Sequence, residues 1–320
     1  MVEEGKPEYL VFGMGAIGSV LAGLLSEAGC SVTCQGRGRH FRQAMDQGLK
    51  ITGIWGEHYL PPGRMDELGA GEKFPVILLC VKSMHTLEAA SQAAGLLEDD
   101  GIMVSMQNGL GNWETIASVV GRARTAGGRV IFGSEIPQPG VARVTVNADD
   151  VLMGPAFGEG AVNERLLSVL ERDLRLGGIP ARVVSAEEIK AALWGKVLYN
   201  SALNPLSAVL GVTYGELGES PEARQIMRGI LGEIFLVMDG KGVRVPFSDA
   251  EDYYRYLIER QLPPTVSHRS SMLQDISSGR PTEIDALNGA ICRYARDLGI
   301  EAPYNELLTR LIKFKEGPVR

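Results

Sequence analysis

The chain has 320 residues, 45% of them hydrophobic, with 32 Lys and Arg against 39 Asp and Glu for a net charge of −7. That length suggests about two domains, and the acidic balance argues against general binding to nucleic acid or to an anionic membrane. The longest strongly apolar run, Phe74 to Val81, is far too short to span a bilayer, and the first ten residues lack the basic-then-apolar order of a signal peptide. The four cysteines (Cys30, Cys34, Cys80 and Cys292) form no CxxC pair or zinc signature, so reduced thiols, no metal and a cytoplasmic location are expected.

Tyr9 to Phe12 reads as a buried strand, and Ser19 to Ala28 has helical character. Between them lies Gly13-Met14-Gly15-Ala16-Ile17-Gly18, a G-x-G-x-x-G in the strand-to-helix context that gives the motif meaning. Gly13 permits the tight turn, Gly15 lets backbone approach a pyrophosphate, and Gly18 lets the helix pack closely. The alternative is an ordinary glycine-rich turn. A second strand, Cys30 to Gln35, ends in Gly36-Arg37-Gly38-Arg39 with no acid for a ribose 2′-hydroxyl. Arg37 and Arg39 suit a 2′-phosphate, which favours NADP(H) over NAD(H), unless they are two solvated loop arginines.

Gly48 to Leu60 reads as a pair of short strands. Phe74 to Val81 is a strand covered on both faces, followed by Lys82 and a helix from about Thr86 to Leu97. Gly101 to Met106 is the next strand, and Asn108-Gly109 follows it. Lys82 and Asn108 thus sit at strand C-termini, where ligands bind in open α/β sheets; a surface lysine and an Asn-Gly turn are the plainer accounts. Stretches 129–133 and 140–154 read as antiparallel additions to the sheet, 164–176 as an amphipathic helix, and 181–184 as the last strand. The boundary is placed at Ser185: residues 1–185 form a Rossmann-type dinucleotide-binding domain, and residues 186–320 an all-α domain. Its helical patterns run over 187–202, 205–210, 221–241, 248–259, 265–277, 283–298 and 304–315, with Thr282 capping the sixth.

Within the second domain, Trp194-Gly-Lys196-Val-Leu-Tyr-Asn200-Ser-Ala-Leu-Asn204-Pro205 places a lysine and two asparagines four residues apart, on one face of an otherwise apolar helix. One reading is a cleft wall in which Lys196 delivers a proton while Asn200 and Asn204 bind a polar substrate. The other is a snorkelling lysine, with Asn204 as N-cap of a helix begun by Pro205. Dense polarity recurs at His268–Asp275 and Arg280–Asp285, where Glu283 suits the positive end of its helix.

These stretches together resemble the ketopantoate reductase family, NADPH-dependent 2-dehydropantoate 2-reductases. The resemblance rests on the Gly13–Gly18 loop, Arg37, Lys82, Asn108-Gly109, the Lys196/Asn200/Asn204-Pro205 stripe, Ser271-Met-Leu-Gln-Asp275 and Arg280-Pro-Thr-Glu283-Ile-Asp285. It implies Lys196 as general acid, with Asn108, Asn200, Asn204 and Ser271 at a small 2-oxo acid substrate. Cofactor contacts are implied along Gly13 to Gly18 and at Arg37, Lys82, Asn108 and Glu283. Relatives often carry asparagine where His268 and Tyr214 stand here, at the substrate end away from the carboxylate, so reduction of a 2-oxo acid is better supported than ketopantoate itself. A 3-hydroxyacid or 6-phosphogluconate-type dehydrogenase on a similar scaffold, and a non-enzymatic NADP-binding regulator, are the competing readings. A homodimer through apolar helix faces is also expected.

Overall fold

The computed structural model describes residues 8–158 and 162–317. Its strands are β1 (Glu8–Phe12), β2 (Ser31–Gln35), β3 (Leu49–Gly53), β4 (His58–Leu60), β5 (Asp66–Glu67), β6 (Phe74–Leu79), β7 (Leu97–Ser105), β8 (Thr125–Arg129), β9 (Phe132–Gln138), β10 (Val141–Asn147), β11 (Val151–Pro155) and β12 (Ala181–Val183). Helices α1 (Ala16–Glu27), α2 (Gly38–Gln47), α3 (Thr86–Ala94), α4 (Asn112–Val120) and α5 (Glu164–Leu176) alternate with them. Seven further helices follow: α6 (Ala186–Leu210), α7 (Tyr214–Glu219), α8 (Pro221–Gly240), α9 (Ala250–Tyr256), α10 (Ser271–Ser277), α11 (Asn288–Leu298) and α12 (Pro303–Glu316). The chain divides into two compact units, residues 1–108 with 112–189, and residues 190–320 together with Gly109–Gly111.

In the first unit an eight-stranded sheet has the order β12-β11-β8-β7-β6-β1-β2-β5. Its centre is parallel, and β11 runs antiparallel to β8. Side chains alternate across it with the period of two that a strand imposes. Tyr9, Val11, Val76, Leu78, Ile102 and Val104 face α1, whereas Leu10, Phe12, Ile77, Leu79 and Met103 face α3 and α4. Both faces are covered, so these strands read as continuous apolar runs rather than half-polar ones. The chain leaves β1 toward β2 on one side and later returns to β6 on the other. The C-terminal end of β1 is therefore the switch point, where open α/β sheets bind ligands.

Strands β9 and β10 are antiparallel, but they do not extend this sheet. They join β3 and β4 in a separate four-stranded sheet, order β4-β3-β10-β9. Gly23 of α1 explains the separation: a Cβ there would lie 2.5 Å from Ile51 Cδ1, so the small sheet packs against α1 itself. His40 ties α2 to this layer. Its Nδ1 accepts from Gly140 N (3.1 Å), which makes Nε2 the donor to Ser19 Oγ (2.8 Å). Burial lowers the His40 pKa below the usual imidazole value. Protonation would cancel the acceptor role, so the native state favours the neutral ring. This stability is fully present above the unfolded-state value of about 6.5 and is lost as pH falls through it. We expect the thermal midpoint to fall between pH 7.5 and 5.5, and His40→Gln to remove part of that fall. An unchanged fall in the variant would refute the assignment.

The second unit is helical. Its longest element, α6, continues through Pro205 to Leu210, so the expected break after Ala202 does not occur and Asn204 is not an N-cap. Proline lacks the N–H that would bond the carbonyl four residues earlier. That carbonyl, on Ser201, instead accepts from the buried side chain of Asn288 (3.1 Å). The same Asn288 amide donates to Asn305 Oδ1 (2.9 Å), and Asn305 donates to Glu233 Oε2 (2.6 Å). Glu233 also accepts from the backbone of Tyr304 (2.7 Å) and Asn305 (2.9 Å), capping α12 from another helix. The predicted helix over 265–277 shortens to α10, because the carbonyls of Val266 and His268 accept from Gly215 and Tyr214 at the start of α7. Glu283 does not open an α-helix; it precedes a single 3₁₀ turn, Ile284–Ala286, before α11.

Candidate functional site

The glycine loop shows a different demand at each glycine. Gly13 has φ 112°, and a Cβ there would meet Val81 N at 2.7 Å. At Gly18 a Cβ would fall 2.0 Å from Gly13 O, so the first turn of α1 lies directly on the loop. Around Gly15 nothing comes within 4 Å of the Cβ position, which leaves open space at the N-terminus of α1. Met14 is buried, and Ala16 and Ile17 are partly so. Free N–H groups and the helix dipole at this end suit a phosphate anion. The residues present fit a dinucleotide.

Arg37 stands at the N-cap of α2, beside Gly38 and Arg39, and all three are exposed. Its guanidinium donates to Glu88 Oε1 of α3 (2.8 Å), which pulls the Glu88 pKa down. A 2′-phosphate would compete with that carboxylate for Arg37.

Beyond β6 and β7, a polar network holds Asn108 in place. Its carbonyl accepts from Ser83 Oγ and Asn112 Nδ2, both at 2.8 Å. Thr86 Oγ1 donates to Asn112 Oδ1 (2.8 Å) and receives Gln107 Nε2 (2.8 Å), and Gln107 also donates to Val81 O (2.9 Å). Ser83, Thr86, Gln107 and Asn112 were not singled out from sequence. The Gln107-Asn-Gly-Leu-Gly-Asn112 run was a signal for Gln107 and Asn112 only; Ser83 and Thr86 lie outside it. Lys82 is half-buried at the head of the 3₁₀ turn Ser83–His85.

In the second unit, Lys196 and Asn200 are half-buried on α6 and Asn204 is buried. Lys196 and Asn204 are separated by about 12 Å of helical rise. Among the described residues the Asn200 side chain makes no hydrogen bond. Two further segments converge on Asn204. Its Oδ1 accepts from the buried hydroxyl of Tyr214, and its carbonyl from Ser270 Oγ (3.2 Å). Ser270 caps α10 through Leu273 N (3.0 Å), which places exposed Ser271 at the first helical position. His268 lies on Tyr214 with ring centroids 5.0 Å apart, and Tyr199 meets Tyr214 edge-on at 5.8 Å. Desolvation lowers the His268 pKa and holds Tyr214 well above the usual phenol range. Asn204 and His268 therefore both contact Tyr214, and Ser271 follows Ser270 in the chain, while Asn200 and Lys196 lie one and two turns back along α6. Glu283 is half-buried.

Comparison with known proteins places both units. Residues 9–156 match the ketopantoate reductase PanE/ApbA family, and residues 188–316 its C-terminal domain. The chain belongs to the ketopantoate reductase family. A 2-dehydropantoate 2-reductase of Aquifex aeolicus is 34% identical over 310 residues, 97% of each chain. The crystal structure of a PanE/ApbA family ketopantoate reductase from Ralstonia eutropha superposes with a TM-score of 0.82 at 28% identity, covering 97% of this chain and 98% of that one. A D-mandelate dehydrogenase with NADH and anilino(oxo)acetate shares the fold, with a TM-score of 0.85 at 24% identity over 97% and 98% of the two chains. As a ketopantoate reductase family member, the protein is an oxidoreductase acting on a CH–OH group, and its family is one of dinucleotide-binding reductases. No helix among the described residues is long and apolar enough to cross a membrane.

Proposed function

We propose that this protein reduces 2-dehydropantoate to (R)-pantoate with NADPH, as a step of pantothenate biosynthesis, with Lys196 as proton donor. The observation that carries this reading is the α6 stripe: one ammonium and two amides on an apolar helix, within a chain that matches this family over both units. When bound, the reduced nicotinamide supplies hydride to the C2 carbonyl carbon. Gly13 to Gly18, Arg37, Lys82, Asn108 and Glu283 are the residues assigned to holding the cofactor. Negative charge develops on the substrate oxygen as its carbonyl is reduced. The Lys196 ammonium stabilises that charge and donates the proton to the oxygen. Asn200, Asn204 and Ser271 bind the polar end of the substrate. NADPH and NADH consumption with 2-dehydropantoate and other short, branched 2-oxo acids tests the assignment. Turnover confined to 3-hydroxy acids, or tight NADPH binding without turnover, would refute it.

Tyr214 shapes this half-site. Because its hydroxyl donates to Asn204 Oδ1, the Asn204 amide is held in one orientation with Nδ2 as its free donor, which suits an acceptor oxygen on the substrate. Removing the phenol hydroxyl frees that amide to turn. Tyr214→Phe should raise KM for the 2-oxo acid about fivefold, the loss of one hydrogen bond of about 1 kcal/mol. The Kd for NADPH should stay unchanged. A KM within experimental error of wild type would remove Tyr214 from substrate selection.

A further inference from the structure

Strands β2 and β6 lie on either side of β1, so the segments that leave their C-terminal ends flank the switch point. Two side chains join those segments. Arg37 stands two residues past the end of β2, and Glu88 lies in the first turn of α3, beyond β6. The 2.8 Å bond from Arg37 Nη2 to Glu88 Oε1 therefore runs from one side of the crevice to the other, across the end of β1. The loop that carries Arg37 is in turn tied to the glycine loop. Gly13 N donates to Gln35 O (2.8 Å), and a Cβ at Gly36 would lie 2.9 Å from Met14 Cβ. Arg37 is thus held next to the phosphate-suited end of α1, where an arginine accommodates the 2′-phosphate of a dinucleotide.

Glu88 supplies from α3 the acid that the end of β2 lacks. The positive end of α3 favours its charge. Gln92 Nε2 also donates to Oε1 (3.2 Å), so the carboxylate keeps a partner when the guanidinium turns away. Side-chain exposure is 73% at Arg37 and 50% at Glu88, so both are open to a ligand. A ribose 2′-hydroxyl can donate to this carboxylate and leave the ion pair intact. A 2′-phosphate is an acceptor only while ionised, and it must take Arg37 away from Glu88.

We propose that Glu88 sets the cofactor preference of this protein: by occupying Arg37 it weakens the hold on the 2′-phosphate of NADPH, while its carboxylate accepts from the 2′-hydroxyl of NADH. The inference rests on the assignment of the glycine loop and Arg37 to the dinucleotide under the proposed function. Fluorescence titration of the full chain with NADPH and with NADH reads both Kd values without turnover. Glu88→Gln should lower the Kd for NADPH about fivefold, the most that one exposed ion pair is worth, and should not tighten NADH. In an Arg37→Gln background the same substitution should move the NADPH Kd by less than about twofold, because no guanidinium is left to release. Equal shifts for the two cofactors, an unchanged NADPH Kd, or the full gain in the absence of Arg37 would each overturn the proposal. The wild-type ratio of the two Kd values judges the NADPH assignment, and the change in that ratio judges Glu88, so either can fail without the other.

Discussion

Lys196→Ala is expected to lose about 10²- to 10⁴-fold in kcat, the usual contribution of a positioned general acid, with the Kd for NADPH changed by less than about twofold. The split follows from where the residue sits. Lys196 belongs to α6, within the helical unit, whereas the glycine loop and Arg37 belong to the first unit. In the proposed role, removing the ammonium deletes a donor needed only while the carbonyl oxygen gains charge, so transition-state binding should fall and ground-state cofactor binding should not. Lys196→Arg keeps the charge but not the compact donor, and should recover only part of the rate. Single-turnover kinetics with fluorescence titration of NADPH measures both quantities. A variant within a few-fold of wild-type turnover on its best 2-oxo acid would end the role assigned to Lys196.

Asn288→Ala should destabilise the helical unit by about 2–4 kcal/mol, the cost of leaving buried polar groups unpaired together with a small cavity. In a protein of this size that is a fall of roughly 5–10 °C in thermal midpoint. Two acceptors lose their partner at once: the Ser201 carbonyl, which Pro205 cannot serve, and Asn305 Oδ1, the link to Glu233 and the start of α12. The mechanism has its own control. In Pro205→Ala the new backbone N–H can bond Ser201 O as in any helix. Adding Asn288→Ala to that background should then cost about 1 kcal/mol less than in wild type, the worth of one hydrogen bond. Strict additivity would mean that the amide does not serve this carbonyl.

How far the sequence reached depended on the range of the interaction concerned. The strand–loop–helix around Gly13, Gly15 and Gly18 was legible because its main demands are local, the positive φ at Gly13 and the close approach of Gly18 to Gly13 O five residues back; the approach of Gly13 to Val81 N is the long-range part. Several strands and most of the helical second half were legible for the same reason, since period two and period 3.6 are properties of short segments, whereas α2 (Gly38–Gln47), α4 (Asn112–Val120) and α7 (Tyr214–Glu219) were not expected. The α6 stripe stood out because a cation and two amides interrupt an apolar pattern at helical spacing.

What was not legible lay between distant segments. Pro205 signals a break, yet α6 continues because a side chain 87 residues beyond Ser201 takes the orphaned carbonyl. The helix expected from Thr265 begins only at Ser271, because the carbonyls before it are spent on the start of α7. Alternation in β9 and β10 announces strands without saying which sheet receives them, and the packing of α1 at Gly23 decided that. Arg37 finds Glu88, 51 residues on, as its carboxylate partner. Composition and local pattern by themselves determined the two-part architecture, the phosphate-suited loop and the lysine–asparagine helix. Only the tertiary structure decided which polar groups are already satisfied by the protein, because a buried donor takes whichever acceptor the fold brings to it, and the chain's order does not encode that distance.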